Sequence, residues 1–219
     1  MKNKKTLLLL FSILFVGIKA LAYNTFIIDG INYRIDATTK TATVIELDWW
    51  GKYEGDIIIP SSITIENDGI YTVTSIGNST FYDCTGLTSI TIPNTVTSIG
   101  YNAFVLCTGL TSITIPNAVT SIGEYAFTGC TGLTSITIPD AVTSIGKYAF
   151  KGCREFTSIS IPSSITNIGS GAFDNCPKLE SIDVAPDNKD FDSVDGILYK
   201  FSNWSSGYYY LERYPEGKK

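Results

Sequence analysis

A segment of 23 residues repeats along this chain with few changes, and it constrains the fold more than any other feature. The segment GLTSITIPNTVTSIGYNAFVLCT at 86–108 returns as GLTSITIPNAVTSIGEYAFTGCT at 109–131 and as GLTSITIPDAVTSIGKYAFKGCR at 132–154. Between positions 77 and 176, one glycine, one phenylalanine and one cysteine each recur at intervals of 23 residues. A fixed period in this range indicates a solenoid, in which each copy forms one coil and buries its apolar side against its neighbours.

The first half of each repeat has the pattern of a half-buried β-strand. In the copy at 86–108, three branched apolar side chains share one side of the chain: Leu87, Ile90 and Ile92. The hydroxyl side chains between them fall largely on the other side: Thr88, Ser89 and Thr91. Because β-branched residues dominate and proline follows, the pattern predicts a short strand that ends at Pro93.

The second half of each repeat predicts the path to the next coil. The segment VTSIG at 96–100 predicts a second extended piece, and Gly100 supplies a sharp corner. Beyond this corner, one helical turn would point Ala103, Phe104 and Cys107 inward. Each repeat therefore predicts one closed coil, whose strands pair in parallel with those of the next coil.

The consensus LTSITIPxxVTSIGxxAFxxC, with its step of 23 residues, resembles the BspA-like leucine-rich repeat family over roughly residues 53–200. The resemblance implies a leucine-rich-repeat solenoid, a right-handed coil made mainly of short parallel β-strands with one short helical turn per repeat. It also implies a protein that is exported or displayed on the cell surface. Members of the family are non-enzymatic and are associated with adhesion to host proteins, other cells or glycans.

The chain divides into four segments around this array. Residues 1–22 combine basic MKNKK, apolar TLLLLFSILFVGI and the small-residue site Ala20-Leu21-Ala22, which is the pattern of a cleaved signal peptide. We expect an N-terminal cap segment at 23–60, a solenoid of about five coils at 61–185, and a hairpin-like C-terminal cap at 186–219. The first coil carries an insertion of ten residues around IENDGIYTVT.

The composition disfavours several classes of function. The formal net charge is −5, and removal of residues 1–22 leaves 12 basic against 21 acidic side chains, a net charge of −9. Such a surface repels nucleic acid and anionic lipid, so we expect neither partner and no membrane insertion after signal cleavage. The chain has no histidine, the most common general base and metal ligand. The missing histidine disfavours catalysis without excluding it, and the resemblance implies a non-enzymatic protein, so we expect no enzymatic activity and no cofactor.

The repeated cysteines are the first candidates for chemistry, and there is one in each copy: Cys84, Cys107, Cys130, Cys153 and Cys176. Zinc sites use close pairs such as C-x-x-C, which this spacing does not provide. Parallel side chains in register are also poorly aimed to form disulfides. Because free cysteine packs as a small apolar group, we expect a buried structural ladder.

The hydroxyl side chains of the repeated strands are the candidate ligand face. Stacking places them in rows on one surface: Thr88, Ser89, Thr91, Thr111, Ser112, Thr114, Thr134, Ser135 and Thr137, continued by Thr157, Ser158 and Ser160. Threonine also suits an exposed strand for its β-propensity alone. Three interpretations therefore stay open: a solvated face copied by duplication, a ligand surface for a protein or glycan, and a threonine array that orders water as in ice-binding solenoids, for which the rows lack a sustained T-x-T.

Other polar and aromatic clusters lie outside the copies. Aromatic residues gather at both ends of the array, where they either cap the core or stack on sugars: Trp49, Trp50 and Tyr53, and Trp204, Tyr208, Tyr209, Tyr210 and Tyr214. Four aspartates crowd one loop without the spacing of a calcium-binding loop: Asp187, Asp190, Asp192 and Asp195.

These features together predict an exported, non-enzymatic recognition protein that is secreted or held at the cell surface. The leading hypothesis is an adhesin that binds proteins of a host or neighbouring cell through the solenoid face. The alternative is a glycan-binding module of a polysaccharide-handling system. The expected partner is therefore an extracellular protein or glycan.

Overall fold

The structure, a computed structural model, describes residues 24–47, 51–201, 209–213 and 215–217. The proposed signal peptide and five of the aromatic candidates lie outside the described residues: Trp49, Trp50, Trp204, Tyr208 and Tyr214. Within the described ranges the chain forms eighteen β-strands and no helix. No helix in this part of the chain is long and apolar enough to cross a membrane.

The described chain begins with an antiparallel meander of three strands: β1 (Thr25–Ile28), β2 (Ile31–Asp36) and β3 (Thr41–Ile45). A tight turn joins the first two strands, because Asp29 and Gly30 both take positive φ angles, of 49° and 82°. β3 then pairs in parallel with the first long strand of the repeat region, so this meander continues the solenoid sheet.

The predicted insertion forms a hairpin in the first coil. It consists of β5 (Ser62–Ile65) and β6 (Gly69–Ile76), which pair antiparallel around the turn at Asn67. β6 also belongs to a continuous parallel wall, whose other strands are two-residue segments: β8 (Ser98–Ile99), β10 (Ser121–Ile122), β12 (Ser144–Ile145) and β14 (Asn167–Ile168). Equivalent residues of successive repeats are directly opposite in this wall, which confirms the predicted stacking of coils.

A second wall contains the longer strand of each repeat. Its members are β4 (Gly55–Ile58), β7 (Leu87–Thr91), β9 (Ser112–Thr114), β11 (Ser135–Thr137), β13 (Ser158–Ile161) and β15 (Ser181–Val184). They pair in parallel as β4–β7, β9–β11 and β13–β15. Most inward residues of these strands are buried, as the alternation of apolar and hydroxyl residues predicts, and Ile57 and Val184 in the two end strands are partly buried.

The third wall differs from the sequence prediction, because the described residues form no helical turn there. Two residues of each copy, four positions apart, take left-handed φ angles, such as Asn102 and Leu106 with 57° and 61°. Their N–H groups therefore point along the solenoid axis. Three N–H groups donate to carbonyl oxygens of the next coil: Asn102 to Glu124 (3.0 Å), Phe104 to Ala126 (2.7 Å) and Leu106 to Thr128 (2.8 Å). A helix would use these donors within its own turn, so the stack favours this arrangement, which we call the turn ribbon (residues 77–84, 100–107, 123–130, 146–153 and 169–176).

Stacked phenylalanine rings fill the core behind the turn ribbon. Their centroids lie 4.9 to 5.8 Å apart, and neighbouring planes differ by 8° or less: Phe81, Phe104, Phe127, Phe150 and Phe173. Tyr53 closes the N-terminal end of this stack, with its ring centroid 4.8 Å from that of Phe81. Its buried hydroxyl donates a hydrogen bond to the carbonyl of Ile45 and accepts one from the N–H of Asn32. The hydroxyl therefore keeps its hydrogen bonds although it is buried.

The C-terminal end of the core is covered by an antiparallel sheet of three strands: β16 (Phe191–Val194), β17 (Ile197–Phe201) and β18 (Tyr209–Arg213). Asp195 and Gly196, both with positive φ, form the turn between the first two. Phe191 and Leu198 are fully buried against the last coil. Tyr209 and Tyr210 begin the outer strand of this cap.

Candidate functional site

The structure places all nine residues of the candidate ligand face on one surface, with every side chain exposed. Ser135 lies directly opposite Ser112, and Thr137 lies opposite Thr114, in the parallel pair β9–β11. β7 packs beside β9 and adds the first three hydroxyl residues. We call this surface the hydroxyl face and define it by the same nine residues: Thr88, Ser89, Thr91, Thr111, Ser112, Thr114, Thr134, Ser135 and Thr137.

The hydroxyl groups of this face differ in whether the chain itself satisfies them. Thr134 donates to the carbonyl of Thr111 in the preceding coil at 3.3 Å. In contrast, the hydroxyls at the centre of the face make no hydrogen bond to another described residue: Thr91, Ser112, Thr114, Ser135 and Thr137. These groups remain available to water or to a partner, and each can both donate and accept.

A carboxylate that the sequence analysis did not single out ends the hydroxyl face on its N-terminal side. Asp56 lies opposite Ser89 in the β4–β7 pair. Its Oδ1 accepts hydrogen bonds from Ser89 Oγ at 2.7 Å and from Thr88 Oγ1 at 2.8 Å. These bonds stabilise the ionised form, so the pKa of Asp56 lies below its usual 3.8, with Ser89 as the largest cause. Alignment of the segment IIIP with the later copies would have placed Asp56 in this row.

Replacing Ser89 with alanine is expected to raise the pKa of Asp56 towards 3.8, because the strongest hydrogen bond to its carboxylate is lost. In the wild type the folded-state pKa is depressed. The ionised group therefore stabilises the fold above the unfolded-state pKa, and this contribution disappears as the pH falls through the folded-state pKa. Carboxyl-resolved NMR titration measures the change, and Ser112→Ala is the matched control. An unchanged Asp56 titration in Ser89→Ala would contradict the assignment.

A second carboxylate marks the C-terminal side of the same wall. Asp183 lies opposite Ser160 in the β13–β15 pair and accepts a hydrogen bond from Ser181 Oγ at 3.1 Å. Together with Thr137 and Asp140 it lines a shallow depression of about 410 Å³. The free hydroxyls therefore lie between two acidic ends, and the depression at Asp183 offers a place for a protruding group of a partner.

The five cysteines are buried and reduced, and they lie behind the turn ribbon. From the second onwards, each thiol points to the carbonyl oxygen of a phenylalanine in the preceding coil, at 3.0 to 3.3 Å: Cys107, Cys130, Cys153 and Cys176. Burial raises the pKa of Cys107, Cys130 and Cys153 well above the ordinary value. Because the thiolate is the reactive form, these side chains are poor nucleophiles and poor metal ligands.

The aspartate loop shows local hydrogen bonds. The backbone N–H of Ser193 donates to Asp192 Oδ1 at 2.7 Å, and Asn188 orders the loop through the N–H groups of Asp190 and Phe191. Among the described residues, no group of three or more acidic or cysteine side chains is placed to hold a metal ion.

A pair of half-buried tyrosines on the turn ribbon forms a second surface feature, which the sequence analysis missed. Tyr125 and Tyr148 take left-handed φ angles of 57° and 55° at a position held by Asn102 in one coil and Gly171 in another. A bulky residue in this conformation costs about 1 kcal/mol relative to glycine. Their ring centroids are 5.2 Å apart. The sequence did contain a signal for this feature, because two copies have tyrosine at a position where other copies have asparagine or glycine.

Three walls of short coils, stacked in register around one apolar core, define a leucine-rich-repeat solenoid. A family model described as the BspA type leucine rich repeat region matches residues 57–195 in six copies. The chain therefore belongs to the BspA-type leucine-rich repeat family. This match indicates no enzyme family, and leucine-rich repeats generally serve as binding scaffolds. A comparison with curated proteins gives no match.

Solved bacterial structures share the fold. A leucine-rich repeat protein from Bacteroides ovatus is 41% identical, with a TM-score of 0.66 over 72% of this chain and 40% of that protein. A leucine rich cell surface protein from Faecalibacterium prausnitzii is 30% identical, with a TM-score of 0.52 over 87% of this chain and 61% of that one. A leucine-rich repeat protein from T. pallidum is 29% identical, with a TM-score of 0.62 over 69% and 67%. This chain thus spans less than two thirds of the first two proteins.

Proposed function

We propose that this chain is an exported recognition protein of the adhesin type, which binds an extracellular protein of a host or neighbouring cell through the hydroxyl face. The observation that carries the proposal is the group of central hydroxyls, such as Ser112 and Ser135, which are exposed and unused by the chain itself. A partner can replace their water without breaking any hydrogen bond of the fold.

The geometry of the face supports recognition of a protein surface. Serine and threonine lose little side-chain freedom when they are ordered, so immobilising them on binding costs less than immobilising longer side chains. Parallel pairing fixes the backbone beneath them, and successive coils repeat the same polar groups in register. Asp56 and Asp183 add negative charge at the two ends, so we expect a partner with hydrogen-bond donors opposite the centre and basic groups opposite the ends.

Export is part of the same proposal. Its support is the signal-peptide pattern of residues 1–22 and the family to which the chain belongs. The similar Faecalibacterium prausnitzii protein is described as a cell surface protein. The burial of the cysteines is compatible with an oxidising extracellular space, because their thiols are shielded from oxidants.

Binding to a panel of immobilised extracellular-matrix proteins tests the proposal. We expect a panel member to bind the wild type, and Ser112→Arg or Ser135→Arg to weaken that binding by at least about tenfold, because the new side chain fills the face. Both positions are exposed, so the melting temperature should barely change. Thr120→Arg, exposed on the opposite parallel wall, is the matched control. Absence of binding across the panel, or equal binding by all variants, would count against this function.

Glycan capture is the second candidate function. The aromatic residues for which it was suggested lie partly outside the described residues, and Tyr53 is buried in the core. The half-buried tyrosine pair of the turn ribbon, Tyr125 and Tyr148, favours it instead, and this pair lies on a surface separate from the hydroxyl face.

A further inference from the structure

A trough of about 600 Å³ crosses the turn ribbons of neighbouring coils. Gly152 leaves backbone uncovered along it, since a Cβ atom there would meet nothing closer than 3.7 Å, whereas the Leu106 side chain covers Gly129. Lys151 and Arg154 line one part, while Leu106 lies at one end. A volume of this size lies within the usual range for small-ligand sites.

Tyr125 and Tyr148 form a pair beside this trough. Lys151 connects the two features, because it lines the trough and also contacts the Tyr148 ring. The ammonium group of Lys151 lies 4.9 Å from the centroid of the Tyr148 ring, and that of Lys147 lies 5.1 Å from it. Tyr148 in turn packs beside Tyr125. Thr128 Oγ1 donates to the carbonyl of Tyr148 at 2.6 Å and so holds this strained turn in place. Aromatic rings and ammonium groups therefore form one continuous surface.

The charge of this surface differs from that of the acidic chain as a whole. Lys147, Lys151 and Arg154 all lie in the repeat at 132–154. Arg154 makes no ion pair with any residue that the structure describes. Two acidic groups lie in the same region: Glu216 lines the trough, and Asp174 Oδ2 lies near the Tyr148 ring, since both this atom and the ring would contact a Cβ atom at Gly171. Of these, Glu216 accepts the N–H of Asn175 at 3.1 Å. The cations therefore have acidic neighbours, which would repel a densely charged polyanion. Such a surface suits a ligand whose carboxylates are spaced apart.

From this combination we infer that the trough binds a glycan that contains uronic acid residues. Tyr125 and Tyr148 would stack on sugar rings, since a pyranose face is apolar and fits the flat face of an aromatic ring. Lys151 and Arg154 would bind the sugar carboxylate, which the planar guanidinium can grip with two parallel hydrogen bonds. Short polar side chains such as Thr108 and Thr131 line the trough and match sugar hydroxyls.

A second observation supports a role for the tyrosines beyond packing. They occupy left-handed positions where Asn102 and Gly171 serve equally well in other coils, so the fold does not require an aromatic residue there. The inference deepens the second candidate function and is independent of the hydroxyl face. Ser112→Arg should therefore bind the glycan as the wild type does, which separates failure of one proposal from failure of the other.

Calorimetric titration of the full chain with tetragalacturonate and with hyaluronan oligosaccharides tests the inference. We expect at least one of these probes to bind, and the methyl-esterified form of that probe to bind at least about tenfold more weakly, because esterification removes the charge and keeps the ring. The double variant Lys151→Gln/Arg154→Gln should bind the probe more weakly by a similar factor, and so should Tyr148→Asn. The melting temperature of Tyr148→Asn should stay equal or rise, since asparagine suits the left-handed turn.

Two matched controls lie outside the trough. Tyr82→Asn removes an exposed tyrosine that also has a lysine above its ring, with Lys52 Nζ 5.4 Å away. Lys189→Gln removes an exposed positive charge at the C-terminal cap. Both should bind as the wild type does. The inference is overturned if no uronate probe binds, if the ester binds equally well, if a poly-glutamate peptide binds better than the sugars, or if the trough variants match the controls.

Discussion

Replacing Phe127 with alanine is expected to lower the free energy of unfolding by about 3–5 kcal/mol, because the substitution removes a ring from the middle of the stacked core. The ring is fully buried between Phe104 and Phe150, with centroid distances of 5.1 and 5.5 Å. Its removal leaves a cavity that neighbouring coils cannot fill, because their backbones are fixed by hydrogen bonds along the stack. Urea unfolding followed by circular dichroism measures the loss.

The position of Phe127 also predicts a change in cooperativity. Coils of a solenoid contact mainly their nearest neighbours, so a cavity in the middle weakens the coupling of the two halves. We expect a broader or two-step unfolding transition in Phe127→Ala. Leu106→Ala, at a side chain that is 39% exposed, is the matched control and should change stability by no more than about 0.5 kcal/mol. A loss below about 1 kcal/mol in Phe127→Ala would contradict the stacked core.

Replacing Gly146 with alanine is expected to cost about 3 kcal/mol or more, because the new methyl group would overlap the backbone of the preceding coil. A Cβ atom there would lie 2.6 Å from the carbonyl oxygen of Gly123 and closer still to the N–H of Glu124. These are backbone atoms, which cannot move aside as a flexible side chain does. The Gly146 N–H also donates to Ile122 at 2.9 Å and ties the two coils at this point.

Gly152→Asn is the matched control for Gly146→Ala. Gly152 has a positive φ of 75°, but a Cβ atom there would make only ordinary contacts at 3.7 Å with Gly129, and Asn175 holds the same place in the next coil. We expect a stability change within about 1 kcal/mol. Thermal unfolding of both variants measures the difference. Equal melting temperatures would show that coils do not approach as closely at Gly146 as the structure indicates.

The period of 23 residues was enough to predict the coils, their parallel stacking and the inward set, since Phe104 and Cys107 can be buried in every copy only if coils lie in register. It could not predict the turn ribbon. The spacing of the inward residues Ala103, Phe104 and Cys107 fits a helical turn as well as it fits the turn ribbon. Which of the two conformations forms depends on backbone N–H groups that donate to a neighbouring coil. Local patterns contain no information about that neighbour.

The repeated glycines illustrate the same limit. The sequence predicts a corner at Gly100, and the structure has one, but the glycine is required there by close approach of the preceding coil, since a Cβ atom would lie 2.8 Å from the carbonyl carbon of Gly77. Likewise, the hydroxyl rows were predictable from alternation. Alignment could also have placed Asp56 in its row, but its hydrogen bond to Ser89 and the contact between Tyr125 and Tyr148 were not predictable, because they depend on neighbours in other coils.

Site-selective labelling tests the central claim, that the hydroxyl face is the recognition surface, most directly. The five native cysteines are buried, so a cysteine introduced on the surface can be labelled selectively with a maleimide in the native protein. The two variants to compare are Ser112→Cys on the hydroxyl face and Thr120→Cys on the opposite wall, each with and without the extracellular-matrix protein that binds the wild type. We expect the partner to slow labelling at position 112 by at least about tenfold and to leave position 120 unchanged. Equal labelling rates at position 112 with and without the bound partner would contradict the claim.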